Sequence, residues 1–297
     1  MDEKPNMLIK LPLPVNFNFE ICLDFLNRGY DECLYLVNDL CVKRLIRLTS
    51  GLVLIEVSAD DSNLLIHTQS NEVNVDELSQ YVCDWFDLDR DLSGFYSLLC
   101  SFPQTDKFPK KYFGLRLMGI VDLFEALCWC VIGQQINLTF AHKIKTRLVH
   151  KYGDTILDGD MTYYCFPSPE TLLKADRETL VGMQFSKQKI NYIYNISDAF
   201  CSGELNRNKL LQLNKSEQMD KLLAIKGIGP WTANYVSMKS LRDMTCIAYG
   251  DTGLSSSLHK HFATEKKPDK ASIDKIFKPF AGWESYLNFY LWKSLSD

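Results

Sequence analysis

One carboxylate and one glycine-rich turn carry the chemistry within reach of this chain. Residues 222–252 read LLAIKGIGPWTANYVSMKSLRDMTCIAYGDT. In that stretch Lys226-Gly227-Ile228-Gly229-Pro230 closes one helical run, Trp231 opens another, and Asp251 stands after Gly250. Two glycines around an apolar residue allow a tight turn and close approach of the backbone to another molecule. Pro230 suits the first turn of a helix, where its missing N–H costs nothing. The helix starting there turns unpaired N–H groups and the positive end of its dipole toward the loop, an arrangement that holds a phosphate. A single carboxylate beyond it can stabilise developing positive charge and help activate a water. Asp243 and Asp269 are rival carboxylates, but neither follows a glycine.

The complete string resembles the helix-hairpin-helix motif of the HhH-GPD superfamily of DNA glycosylases, closest to the 3-methyladenine DNA glycosylase II (AlkA) type. There G-I-G-x-W-T-A is followed at this distance by the aspartate. Two further stretches support the resemblance. Leu123–Ile136 matches the family's L-F-E-A-L…I-G-Q-Q-I string. Gly282 to Trp292 resembles its closing W-x-P-W-R-S-Y-A…W pattern, with Glu284 in the place of the arginine. The resemblance covers at least 114–292.

The resemblance implies an enzyme of base excision repair that flips a damaged base out of double-stranded DNA and cuts its N-glycosidic bond. Asp251 takes the catalytic position, stabilising the oxocarbenium-like sugar and assisting water. Lys226, Gly227, Ile228 and Gly229 take the phosphate-anchoring turn. Gln135, with Gln134 beside it, matches the side chain that fills the gap in the duplex. Lys187 and Lys189 lie in a segment resembling the family's G-x-x-x-x-K-A-x-x-I and are expected phosphate contacts. Trp231, Tyr235 and Trp292 match aromatic positions of the base pocket, where electron-poor alkylated purines such as 3-methyladenine and 7-methylguanine stack well. Thr252 follows the aspartate where relatives often carry an aromatic ring. No cofactor is required. A monovalent cation held by main-chain carbonyls of Leu223, Ile225 and Ile228 would accompany the turn.

Position 231 bears on mechanism. Glycosylase/lyases of the superfamily carry there a lysine that attacks the sugar; Trp231 implies a monofunctional hydrolase. The last cysteine, Cys246, precedes Asp251, so the resemblance implies no iron–sulfur cluster after it. Two other readings stay open: a glycosylase for oxidised or deaminated purines, and a non-catalytic helix-hairpin-helix module that only anchors DNA. The second has no use for Asp251.

Positioning these groups takes two expected regions, giving an α+β fold: a mixed antiparallel-sheet domain over 1–100 and an all-helical region over 101–297. The 297 residues suffice for a substantial core. Phe19–Leu26 and Val75–Phe86 read as helices. Cys33–Val37, Val42–Leu48, Gly51–Ser58 and Asn63–Thr68 read as strands, separated by turns such as Asn38-Asp39 and Ser50-Gly51. Tyr96–Gly119 reads as a connector. Helices follow at Leu123–Gly133 with Asp122 as N-cap, Leu138–Lys151, from Ser168-Pro169, Leu210–Ala224, Thr252–Phe262, Ala271–Phe280 and Tyr286–Leu295.

Composition narrows the class. No run is long enough to span a membrane, and the start MDEKPNMLIKLPLP is charged and broken by proline, unlike a secretory signal. The ten cysteines include no CxxC pair and sit among apolar neighbours, as in a reduced, cytoplasmic protein. A net charge of −4 is unusual for a DNA binder, but it is segregated. Acids crowd 84–91, whereas Lys260, His261, Lys266, Lys267, Lys270, Lys275 and Lys278 follow the aspartate. Lys143, Lys145, Arg147, His150 and Lys151 share a central helix. Nothing reads as a dimer seam, so a monomer is expected.

Overall fold

A computed structural model describes residues 7–38, 40–70 and 72–296. The first six residues of the charged start, and Asp39 of the expected Asn38-Asp39 turn, lie outside them. The fold is the expected α+β one. Five strands, Met7–Pro12, Tyr35–Asn38, Cys41–Leu48, Gly51–Ala59 and Asn63–Thr68, form one antiparallel sheet. The last pairs both with the first and with Gly51–Ala59, so the N-terminal strand closes one edge and Tyr35–Asn38 the other. Val42, Ile55, Val57, Leu64 and Ile66 are fully buried, the inward set of a sheet covered on one face.

Several boundaries moved, each for a local reason. The edge strand starts at Tyr35 because the Glu32 carboxylate accepts the N–H groups of Cys33 and Leu34 and holds them in a loop. The strand Met7–Pro12 was missed; its proline stands at the end of the strand, where a lost donor is tolerated. The expected connector contains two helices, Ser93–Cys100 and Phe108–Lys111. Phe95 and Leu99 anchor the first in the core, and Pro109 sits in the first turn of the second. The expected helix Leu210–Ala224 is two, Arg207–Leu211 and Lys215–Ala224. Asn214 and Glu217 build a capping box at the break, which favours a new start. A small hairpin, Thr155–Asp158 with Met161–Tyr164, was not expected. Its Tyr163 packs with Cys165 and Leu45 on the sheet.

Two large apolar cores divide the molecule. One joins the inner face of the sheet and the helix Val75–Phe86 to the C-terminal helices, with Phe95, Tyr286, Phe289 and Tyr290 among its rings. The other is helical and holds Leu123–Gly133, Leu138–Tyr152, Lys187–Cys201 and the start of Pro230–Lys239. Helix Leu123–Gly133 is apolar on nearly every side, and eight of its apolar residues are buried with it. Trp231 packs against both cores.

Polar groups lock the seam between them. Arg242 bridges Asp84 and Asp87 at 2.7 Å each, and Arg207 meets Asp84 at 2.6 Å. Burial raises Asp87, but Arg90, Tyr286 and Arg242 together hold it below its ordinary value. Asp84 and Asp87 therefore serve as internal anchors, while Asp89 and Asp91 stay exposed. Buried Arg44 pairs with Glu125 at 2.6 Å, tying sheet to helix.

Candidate active site

The turn is built from both its helices and a third. Lys215–Ala224 and Pro230–Lys239 flank it, and the Ile228 N–H closes it on the Ile225 carbonyl at 3.0 Å. Gly227 has φ +110°, and a Cβ there would lie 2.4 Å from the Tyr192 ring. Both facts demand glycine. The backbone N–H groups of Gly227 and Gly229 have no partner among the described residues. Asn195 holds the Lys226 carbonyl at 3.1 Å, while the Lys226 side chain is exposed.

These N–H groups face an open groove of about 430 Å³, lined by Gln134, Gln135, Ser186, Gln188, Lys189 and the turn. The two glutamines differ. Gln134 is half-buried and its amide donates to the Gly227 carbonyl at 3.4 Å. Gln135 is exposed and has φ +58°, a left-handed conformation that is strained outside glycine. Lys189 donates to the Ile132 carbonyl at 2.7 Å, so it braces the end of Leu123–Gly133, and burial lowers its pKa. Lys187 is exposed on the first turn of its helix, Lys187–Cys201.

Asp251 caps helix Thr252–Phe262. Its Oδ1 accepts the Leu254 N–H at 2.7 Å and the Trp292 Nε1–H at 2.8 Å. Its Oδ2 has no hydrogen-bond partner among the described residues. The loop before it is pinned: Asn288 accepts the Ala248 N–H at 3.0 Å, and Ser285 accepts the Cys246 N–H at 3.1 Å. The tryptophan that holds Asp251 belongs to the last helix, Glu284–Lys293, whose fully buried Tyr286 and Tyr290 leave it little freedom.

Three rings line up beside the carboxylate. Trp231 and Tyr235 stack with centroids 5.4 Å apart, and Tyr235 and Trp292 lie 6.0 Å apart. The Trp231 Nε1–H is buried without a partner. Burial pushes the Tyr235 phenol well above its ordinary value. Thr252 is exposed at the first turn of its helix. Gly253 escaped the sequence reading: a Cβ there would come within 3.0 Å of Asp251 Oδ1 and 3.2 Å of the Trp292 ring. So did Trp129, which borders a second cleft with Tyr235. Neither matched a motif position, and a contact across the fold leaves no local signal.

The basic clusters divide: Lys143, Lys151, Lys266, Lys267, Lys275 and Lys278 are exposed, while others are tied to the fold. Lys145 is buried against Glu32 at 2.7 Å, Arg147 is engaged by Gln184, and His150 stacks on Tyr164. Lys260 and His261 bond to Ser294, and Lys270 pairs with Asp274. Among the described residues no group of His, Cys, Asp and Glu could hold a metal ion. The carbonyls of Leu223 and Ile228 accept no hydrogen bond there, whereas that of Ile225 takes the turn's N–H. No helix among the described residues is long and apolar enough to cross a membrane.

Comparisons with known proteins bear on the family and the fold. Residues 128–281 match the model of the HhH-GPD superfamily base excision DNA repair protein. Residues 40–127 match that of the 8-oxoguanine DNA glycosylase, N-terminal domain. The chain is 36% identical to a DNA-3-methyladenine glycosylase of Bacillus subtilis over 98% of both chains. Its fold is similar to that of a 3-methyladenine DNA-glycosylase from Archaeoglobus fulgidus, with TM-score 0.84 and 20% identity over 96% of this chain and 97% of the other. It is also similar to that of the Clostridium acetobutylicum 8-oxoguanine glycosylase/lyase, with TM-score 0.71 and 18% identity over 96% of both chains.

Proposed function

The chain belongs to the HhH-GPD superfamily of base excision DNA repair proteins, and from that premise we propose a monofunctional DNA glycosylase that hydrolyses the N-glycosidic bond of extruded 3-methyladenine and 7-methylguanine. The coarse activity, a DNA glycosylase of base excision repair, comes with the family; the lesion and the mechanism are our reading. The observation that carries it is Asp251: one oxygen fastened by Leu254 and Trp292, the other unpartnered, beside the stacked rings of Trp231 and Tyr235.

Breaking the bond builds positive charge on the sugar. The held carboxylate presents Oδ2 to that charge without reorganising, and pre-set electrostatics of this kind lower barriers most. The same oxygen can accept a proton from the attacking water. The partnerless N–H groups of Gly227 and Gly229 take phosphate oxygens, which positions the duplex without reading sequence. Exposed Lys187 and Lys226 add charge there, and Lys189 holds the groove's wall. Gln135, exposed and strained at the tip of its loop, fills the vacated place in the duplex, while Gln134 fastens that loop to the turn. Trp231, Tyr235 and Trp292 receive the face of the base, with Thr252 at the rim. A monovalent cation on the carbonyls of Leu223, Ile225 and Ile228, a neutral oxygen set that suits one, would add positive charge near the phosphate. Trp231 offers no amine, so no strand cleavage accompanies base release.

A second reading, release of an oxidised or deaminated purine, draws support from the sheet region's match to an 8-oxoguanine glycosylase N-terminal domain. Incubation with methylated duplex DNA separates the two. Wild type should release free methylated base and leave alkali-labile sites with no nick before alkali. Asp251→Asn should lose about a hundredfold or more in rate and still bind abasic-site DNA. Equal release by Asp251→Asn would refute the role of that carboxylate.

A further inference from the structure

Trp231, Tyr235 and Lys239 succeed one another at four-residue steps on helix Pro230–Lys239, so one face of it carries all three. The first two are base-pocket rings in the proposed function. The third is a lysine only 7% exposed. It borders a narrow cleft together with Tyr235, Trp129, Arg28, Tyr30 and His142. Its amine makes one hydrogen bond, to the Met118 carbonyl, and lies 5.1 Å from the centroid of the Phe289 ring and 5.8 Å from that of Phe25. It has no acidic partner among the described residues, so its remaining N–H groups are buried without acceptors.

Its neighbours at the cleft offer it no free carboxylate. His142, also 7% exposed, has a buried Nδ1 that makes no hydrogen bond and lies 3.8 Å from a Glu32 carboxylate oxygen. The Arg28 guanidinium, exposed to solvent, lies over Phe25 at 3.9 Å and adds positive charge at the mouth of the cleft. Glu32 is taken by Lys145, and Glu125 by Arg44. Buried donors left unpaired are costly, and the amine of Lys239, with one acceptor at a cleft bordered by Tyr235, suits a ligand that supplies another.

We propose that Lys239 determines base specificity: its amine donates to an acceptor on the Watson–Crick edge of the extruded purine, O6 of a methylated guanine or N1 of a methylated adenine. The face of the same base lies on Trp231 and Tyr235. The inference rests on the glycosylase reading and extends it to the cleft that the sheet region's Arg28 and Tyr30 help to wall. Burial, reinforced by Arg28, lowers the Lys239 amine to about 7. Near neutral pH much of it is therefore uncharged, and it can donate without repelling a cationic methylated ring.

Two variants test this. Lys239→Met removes the donor and keeps the length; Lys239→Gln keeps an N–H. For each, kcat and KM for release of 7-methylguanine from methylated duplex DNA are measured, with quenching of tryptophan fluorescence by free 7-methylguanine. Binding of abasic-site DNA, which has no base, controls for folding. Lys239→Met should lose about tenfold or more in kcat/KM, Lys239→Gln should regain most of it, and all three proteins should bind abasic DNA alike. Wild-type release by Lys239→Met would overturn the assignment, as would equal loss of abasic-DNA binding in both variants. If wild type releases no methylated base but binds free 7-methylguanine through Lys239, the substrate reading falls and the cleft assignment stands. If it neither releases nor binds the base, both fall.

Discussion

A single atom pair defines the site at the scale of the residue: Asp251 Oδ1 with Trp292 Nε1 at 2.8 Å. Helix capping and substrate chemistry are divided between the two oxygens of one carboxylate, so the cap costs the proposed chemistry nothing. A histidine of the Lys239 cleft makes a titration prediction. Burial pulls His142 from its ordinary 6.5 down to about 4, with Lys145 adding to the effect and Glu32 opposing it. Between those values the unfolded chain binds a proton that the folded chain refuses. The stability held above pH 6.5 should therefore decline as pH falls toward 4. Urea midpoints measured at pH 7 and pH 5 should drop less in His142→Phe than in wild type. An unchanged pH slope in that variant would show that other groups govern it.

The decisive unit among the elements is the turn between Lys215–Ala224 and Pro230–Lys239, because its geometry is set from outside. Tyr192, on another helix, leaves no room for a side chain at Gly227, and the φ there is hostile to one. Gly227→Ala should cost about 1–3 kcal/mol from backbone strain alone, lowering the thermal midpoint. It should also weaken duplex binding, since the unpaired N–H groups would be displaced. Wild-type affinity measured for this variant at fixed salt would remove the turn from the interface. The sequence showed this turn plainly, since glycine and proline advertise backbone geometry in their own chemistry. It concealed the break at Gln212–Asn214, where a continuous apolar rhythm outweighed the capping signal of Asn214 and Glu217. The hairpin Thr155–Tyr164 was hidden because its strands are four residues each, too short for alternation to stand out.

Over the whole molecule, the end of helix Val75–Phe86 and the helical hairpin are joined through charge. Arg242 meets Asp84, Asp87 and Asp89 at the end of the helix that carries Trp231 and Tyr235. Removing one partner of a buried cluster strands the others, an effect of about 3–5 kcal/mol for a fully buried pair. Arg207 and Arg90 remain to hold Asp84 and Asp87, so Arg242→Ala should cost less than that. It should lower the thermal midpoint by several degrees and reduce base release more than abasic-DNA binding, because it loosens the base cleft and leaves the turn intact. An unaltered midpoint would argue against a coupling role for the cluster.

Where backbone chemistry is local, the residues alone sufficed: four strands of the main sheet, the helix starts at Asp122 and Ser168, and the glycine-rich turn were legible. The motif string also placed Asp251, Trp231 and Trp292 in one family pattern before any coordinates. What the chain order could not disclose were contacts between distant segments. Asp84, Asp87 and Lys145 looked like surface charge, and folding paired them internally. Gly253 looked like an ordinary helix residue until Trp292 closed over it, and Lys239 came to border a cleft with Tyr235 only when Arg28 and His142 arrived from elsewhere. A side chain's type is written in the sequence, but its desolvation and its partners depend on which surfaces the tertiary fold brings together.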